Sequence, residues 1–101
     1  MTAQEVLEKV ARGMVAAGRY KDVQTAIRAL ALEQIERKIA TYYEQVQAFE
    51  KKYGDTLEGH SRSLQGQASM EDEEKWMEWK GAAVMLETWE QTLREVLNSA
   101  S

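Results

Sequence analysis

The sequence contains no cysteine and no proline among its 101 residues. Without cysteine there are no disulfides, no thiolate nucleophile and no metal site with cysteine ligands. Without proline, the chain lacks the residue that most strongly interrupts helices. Glutamate, alanine, glutamine and leucine are the four most frequent residues, and they and lysine all favour helices. We therefore expect an all-α protein.

Long hydrophobic runs are also missing. No segment approaches the roughly 18 consecutive apolar residues of a membrane-spanning helix. The first residues show no basic region followed by an apolar run, which is the pattern of a secretory leader. We expect a soluble, cytoplasmic protein that makes no contact with membranes.

Residues that carry catalytic chemistry are scarce. His60 is the single histidine, and its neighbours Gly59 and Ser61 supply no carboxylate, which favours an exposed loop histidine. Glycine-rich nucleotide loops and the Gly-x-Ser-x-Gly motif of hydrolases are absent. Residues 71–74 are all acidic and could hold Mg²⁺, but negative charge in a first helical turn is also typical of dipole stabilisation. We expect no enzyme, no cofactor and no metal.

The spacing of apolar residues predicts a helical hairpin or small bundle with three main helices. Thr2, Asp22 and Ser69 are typical N-cap residues, and Gly18 and Gly54 are suited to helix ends. The length of the chain indicates a single domain. The predicted helices cover residues 3–17, 22–53 and 70–97, and residues 54–69 form a connector with a short helix.

The second predicted helix carries a long apolar stripe. Its members follow one another at spacings of 4, 3, 4, 3 and 4 residues, which keeps them on one helix face. A helix of about thirty residues is about 45 Å long, more than one neighbour in a small chain covers. We therefore predict that the stripe forms both core and a dimer interface. The stripe consists of Ile35, Ile39, Tyr42, Val46, Phe49 and Tyr53.

All three tryptophans lie in the last predicted helix, at Trp76, Trp79 and Trp89. Apolar residues cover more of this helix than a two-helix hairpin requires. Tryptophan is common both in cores and at binding hot spots. We assign Trp89 to the core. Trp76 and Trp79 lie close to the acidic residues Glu71 and Glu74, and we assign these four residues to a partner-binding surface.

The net charge of −4 is unevenly distributed. Residues 1–53 contain nine Lys and Arg against seven Asp and Glu, whereas residues 54–101 contain four against ten. An acidic second half suits a basic partner, although a solvated helix surface has the same composition.

Two stretches carry a family resemblance. Residues 5–39 resemble the two-helix part of ribbon-helix-helix antitoxins, because Gly18-Arg19-Tyr20 follows the first helix and Ala26-Ile27-Arg28 lies early in the second. The resemblance does not include the DNA-reading strand of that family. Residues 49–58 and 69–79 are similar to small helical proteins of bacteria and archaea that are regarded as antitoxin-like.

The second resemblance implies a dimeric protein that binds and neutralises a partner toxin, and it implies no catalytic residue. Two alternatives remain open. The chain could regulate transcription, with phosphate contacts from basic side chains of the first thirty residues, or it could be a structural dimeric adaptor. The basic side chains concerned are those of Arg12, Arg19, Lys21 and Arg28.

Overall fold

The computed structural model describes residues 1–99, which form four α-helices and no β-strand. The all-α prediction is confirmed, and the predicted ends of the three main helices lie within one residue of the observed ends. Along residues 1–99, no helix has both the length and the apolar character needed to cross a membrane. The helices are α1 (Ala3–Ala16), α2 (Val23–Tyr53), α3 (Leu57–Leu64) and α4 (Met70–Asn98).

Short polar side chains cap the first three helices. The side chains of Thr2, Asp22 and Thr56 each accept the backbone N–H three residues further on, at 3.1, 2.7 and 3.1 Å. Each bond satisfies a donor that the helix itself leaves free. Gly18 and Gly54 follow α1 and α2 with φ angles of +76° and +64°, a conformation that glycine adopts without steric cost. These local signals explain why the sequence predicted the helix ends.

The chain divides into two compact units, residues 1–36 and a second unit that begins at Arg37. The boundary lies inside α2. The single domain expected from the length of the chain remains a prediction. In the first unit, Ala11 and Ala26 are fully buried. The same unit leaves three apolar side chains of α1 exposed, namely Val6, Leu7 and Val10.

Stacked rings form the core of the second unit. Trp79 of α4 is fully buried, and the rings of Phe49 and Tyr53 stack on it with centroids 5.7 Å away in both cases. The His60 ring of α3 lies 4.3 Å from the Tyr53 ring and 5.4 Å from the Trp79 ring. We call these four residues the aromatic cluster. It joins the end of α2 to α3 and to the first half of α4.

The apolar stripe of α2 faces inward. Ile35 and Val46 are buried, and Ile39, Tyr42, Phe49 and Tyr53 are half-buried. The chain's own residues therefore cover much of the stripe. A dimer interface along it remains a prediction.

Candidate partner-binding groove

The start of α4 is fixed by a reciprocal capping box. The Ser69 hydroxyl accepts the N–H of Asp72, and the Asp72 carboxylate accepts the N–H of Ser69, both at 3.1 Å. The bonds from Ser69, with a smaller contribution from His60, hold the pKa of Asp72 below its ordinary value of 3.8. The box orients the first turn of α4 and therefore the side chains one and two turns later.

A groove lies between α3 and the start of α4. Its volume is about 490 Å³. The half-buried Trp76 belongs to its lining and is held by a bond from its indole N–H to the Ser61 hydroxyl of α3. Ser61 in turn donates to the Leu57 carbonyl at 2.7 Å. The groove is lined by Ser61, Leu64, Gln65, Gly66, Ala68, Glu73, Trp76 and Met77.

The lining combines apolar surface with negative charge. Leu64, Ala68, Trp76 and Met77 supply apolar atoms, and Glu73 supplies a carboxylate. The apolar atoms can take up a hydrophobic side chain, because its burial removes apolar surface from water. The carboxylate favours a cation beside that side chain.

Further charges around the groove are mostly acidic. Glu71, Glu74 and Glu78 are exposed on α4. Both nearby lysines already have partners: Lys75 Nζ lies 3.7 Å from a Glu78 carboxylate oxygen, and Lys80 Nζ lies 4.9 Å from the centroid of the Trp76 ring. The Trp76 ring does not neutralise Lys80, but with Glu73 the four carboxylates outnumber the two lysines, so an approaching partner would meet a net negative charge at the rim.

The structure separates the two tryptophans that the sequence assigned to one surface. Trp76 lines the groove, and Glu71 and Glu74 are exposed as expected for a surface. Trp79 is fully buried against the rings of α2, so its assignment to a partner-binding surface is wrong. Three residues along a helix change direction by about 60°, which is enough to place one indole in the groove and the next in the core. Trp89, assigned to the core, is half-buried.

The role of His60 was missed at the sequence level. The exposed loop position expected for it is wrong, because His60 lies in α3, is half-buried and belongs to the aromatic cluster. A signal existed in the spacing of Leu57, His60 and Leu64, which share one helix face at intervals of three and four residues. Its stacking partners on α2 and α4 are distant in sequence and leave no local signal.

The basic residues proposed for DNA binding lie in the first unit. Arg12 Nη2 is 3.6 Å from a Glu8 carboxylate oxygen, an ion pair within one helix. Arg28 is half-buried, and Arg19 and Lys21 are exposed between α1 and α2. DNA binding by these residues remains a prediction.

No family model matches the chain, and comparisons with curated proteins and with solved structures find no match. Among the described residues, no group of three or more His, Cys, Asp or Glu side chains could hold a metal ion. What the groove binds must therefore be inferred from its own lining and rim, since a fold class alone does not define a function.

Proposed function

We propose that this chain is a protein-binding module that holds a basic partner in the groove between α3 and α4. One observation carries the proposal: Trp76 lines an open groove beside Met77, which is 62% exposed, and Glu73 lines the same groove. Tryptophan is enriched among the few residues that dominate binding energy at interfaces. Methionine adapts its shape to a partner's side chains.

A protein partner fits this groove better than a small molecule. Its volume of about 490 Å³ lies within the range of small-molecule pockets, about 300–1,000 Å³, but such pockets enclose most of their ligand. This groove is open, and a further exposed apolar side chain, Met70, lies two turns before Met77 on nearly the same face of α4. Apolar surface in this arrangement suits an anchor side chain on a larger molecule.

The partner we propose is a toxin of a prokaryotic toxin–antitoxin module. The resemblance of residues 49–58 and 69–79 to antitoxin-like proteins supports this choice, and so does the acidic rim, which would cover a basic surface on the toxin. In this proposal the chain acts without catalysis, in the cytoplasm, and as a dimer.

Co-expression with the product of the adjacent reading frame tests the proposal. We expect the two proteins to purify together and the chain to restore growth of cells that express the neighbour. Glu73→Lys should weaken the complex about tenfold, which corresponds to about 1.4 kcal/mol. Glu90→Lys makes the same change of charge at an exposed position of α4 outside the groove lining, and it should have little effect.

Two results would contradict the proposal. If the neighbouring product neither binds nor is neutralised, the partner is not that toxin. If Glu73→Lys and Glu90→Lys weaken the complex equally, the groove is not where the partner binds.

A further inference from the structure

Three exposed apolar side chains follow one another along α4 at intervals of seven residues. Met70, Met77 and Val84 are 79%, 62% and 50% exposed. Residues seven apart lie on nearly the same helix face and about 10.5 Å from one another. The buried residues Trp79 and Ala82 lie on another face of the helix. We call Met70, Met77 and Val84 the outer stripe.

The outer stripe is continuous with the groove. Met77 belongs to both, since it lines the groove together with Trp76. Gly81 is exposed near the stripe, and a methyl group added there would meet no atom within 4 Å. A partner backbone can therefore come close to α4 between Met77 and Val84.

Acidic side chains flank the outer stripe on both sides. Helical periodicity places Glu73 and Glu87 along one side of it, with Lys80 between them, and Glu74 and Glu78 along the other. All five are exposed, and the balance of charge is negative on both sides. A second copy of this chain would bring the same negative flanks to the interface, and juxtaposed like charges oppose association. The flanks instead match a partner whose apolar residues are bordered by lysine or arginine.

We propose that the outer stripe and groove dock a basic amphipathic helix of the partner protein. This inference rests on the proposed function and specifies the partner's binding segment. A helix that repeats an apolar residue every seven positions has the same spacing of about 10.5 Å as the stripe. An extended strand covers that distance in about three residues, and its side chains then point to opposite faces. The spacing of the apolar residues and the charge beside them therefore both favour a basic amphipathic helix.

Titration of the full chain with designed peptides tests the inference. The probe is a lysine-rich peptide with leucine at three successive heptad positions. Its controls are a scrambled peptide of equal composition and an analogue with glutamate in place of lysine. Binding is measured by calorimetry, and peptide helicity by circular dichroism. We expect the basic amphipathic peptide to bind at least tenfold more tightly than either control and to gain helicity.

A matched pair of variants locates the binding surface. Val84 lies outside the groove lining and is 50% exposed, and Val6 of α1 is 45% exposed. Val84→Lys should weaken binding of the basic peptide about tenfold, because it removes an apolar contact and adds a charge that repels the lysines of the peptide. Val6→Lys should leave the peptide affinity unchanged.

The remaining outcomes would overturn the inference. Docking of a basic amphipathic helix would be excluded by any of three results. These are equal binding of the scrambled or acidic peptide, equal effects of the two valine variants, and no binding of any peptide. Self-association that Val84→Lys abolishes would show that a second copy occupies the stripe. None of these results decides whether the neighbouring gene product binds the groove. If co-expression with that product fails while the basic peptide binds the stripe, the toxin proposal alone is lost.

Discussion

The indole N–H of Trp76 donates to the hydroxyl of Ser61, which joins the second turn of α4 to α3. Ser61 donates in turn to the Leu57 carbonyl at 2.7 Å. The hydroxyl thus accepts one bond and donates another, so both its position and that of the indole are constrained. This pair fixes the tryptophan that lines the groove.

Replacing Ser61 with alanine should destabilise the second unit and loosen the groove. The substitution leaves the indole N–H of Trp76 without its partner, and a lost hydrogen bond of this kind costs about 1 kcal/mol. Urea unfolding measures the change. Ser63 is the matched control, because it is exposed and its hydroxyl donates to the His60 carbonyl at 2.7 Å without holding a side chain of another helix. Equal losses of unfolding free energy in Ser61→Ala and Ser63→Ala would show that the bond from Trp76 to Ser61 contributes nothing to stability.

The stacked rings around Trp79 predict a large loss of stability when the Trp79 side chain is truncated. Trp79→Ala removes a fully buried indole that packs against both Phe49 and Tyr53, and such changes cost about 3–5 kcal/mol of stability. A small domain has about 5–15 kcal/mol in total, so we expect circular dichroism to show a marked loss of helix on mild heating.

Trp79→Phe should retain most of the fold, because it keeps a ring in the stack and removes an indole N–H that has no hydrogen-bond partner among the described residues. Trp76→Ala should lower the stability of the fold less than Trp79→Ala does, since Trp76 is only half-buried. A Trp79→Ala variant as stable as Trp76→Ala would contradict the core assignment.

Local features of the sequence were sufficient to predict the helices but not the site. The caps at Thr2, Asp22 and Ser69 depend on side chains that bond to backbone within three residues, so they can be read without tertiary structure. The positions of His60 and Trp79 depend on rings that lie far apart in the sequence. Helical spacing predicted that Trp76 and Trp79 are near one another. It could not predict which of the two faces α2, because that choice is set by packing.

Two glycines of the second unit should respond oppositely to alanine. Gly54 ends α2 with a φ of +64°, where a Cβ atom is strained, so Gly54→Ala should destabilise by about 1 kcal/mol. Gly81 lies within α4, and a Cβ added there meets no atom within 4 Å. Gly81→Ala should therefore stabilise by about 0.5–1 kcal/mol, because glycine is the less favourable residue in a helix. Thermal unfolding of both variants gives the test, and a loss of stability in Gly81→Ala would contradict it.

The hydrogen bonds at the caps of α2 and α4 predict how stability depends on pH. Bonds from Ser69 lower the pKa of Asp72 below 3.8, and bonds from Thr25 do the same for Asp22. A carboxyl group whose pKa is lower in the folded state stabilises the fold above its unfolded value, and this contribution is lost as the pH falls through the folded value. Asp72→Asn, which removes the titrating carboxylate, should therefore destabilise the fold at neutral pH and by progressively less below pH 3.8. Ser69→Ala keeps the backbone N–H that lowers the pKa of Asp72 most and removes the hydroxyl that accepts the Asp72 N–H, so its loss of about 1 kcal/mol should vary less with pH.

Urea unfolding of the native chain, Asp72→Asn and Ser69→Ala at a series of pH values measures this difference. Ser63→Ala is the reference for a lost serine hydroxyl, because Ser63 is exposed and donates to a backbone carbonyl. An Asp72→Asn loss of stability that stays constant from neutral pH to well below 3.8 would show that the bond from the Ser69 N–H does not depend on the charge of the carboxylate. The capping box would then stabilise α4 by geometry alone.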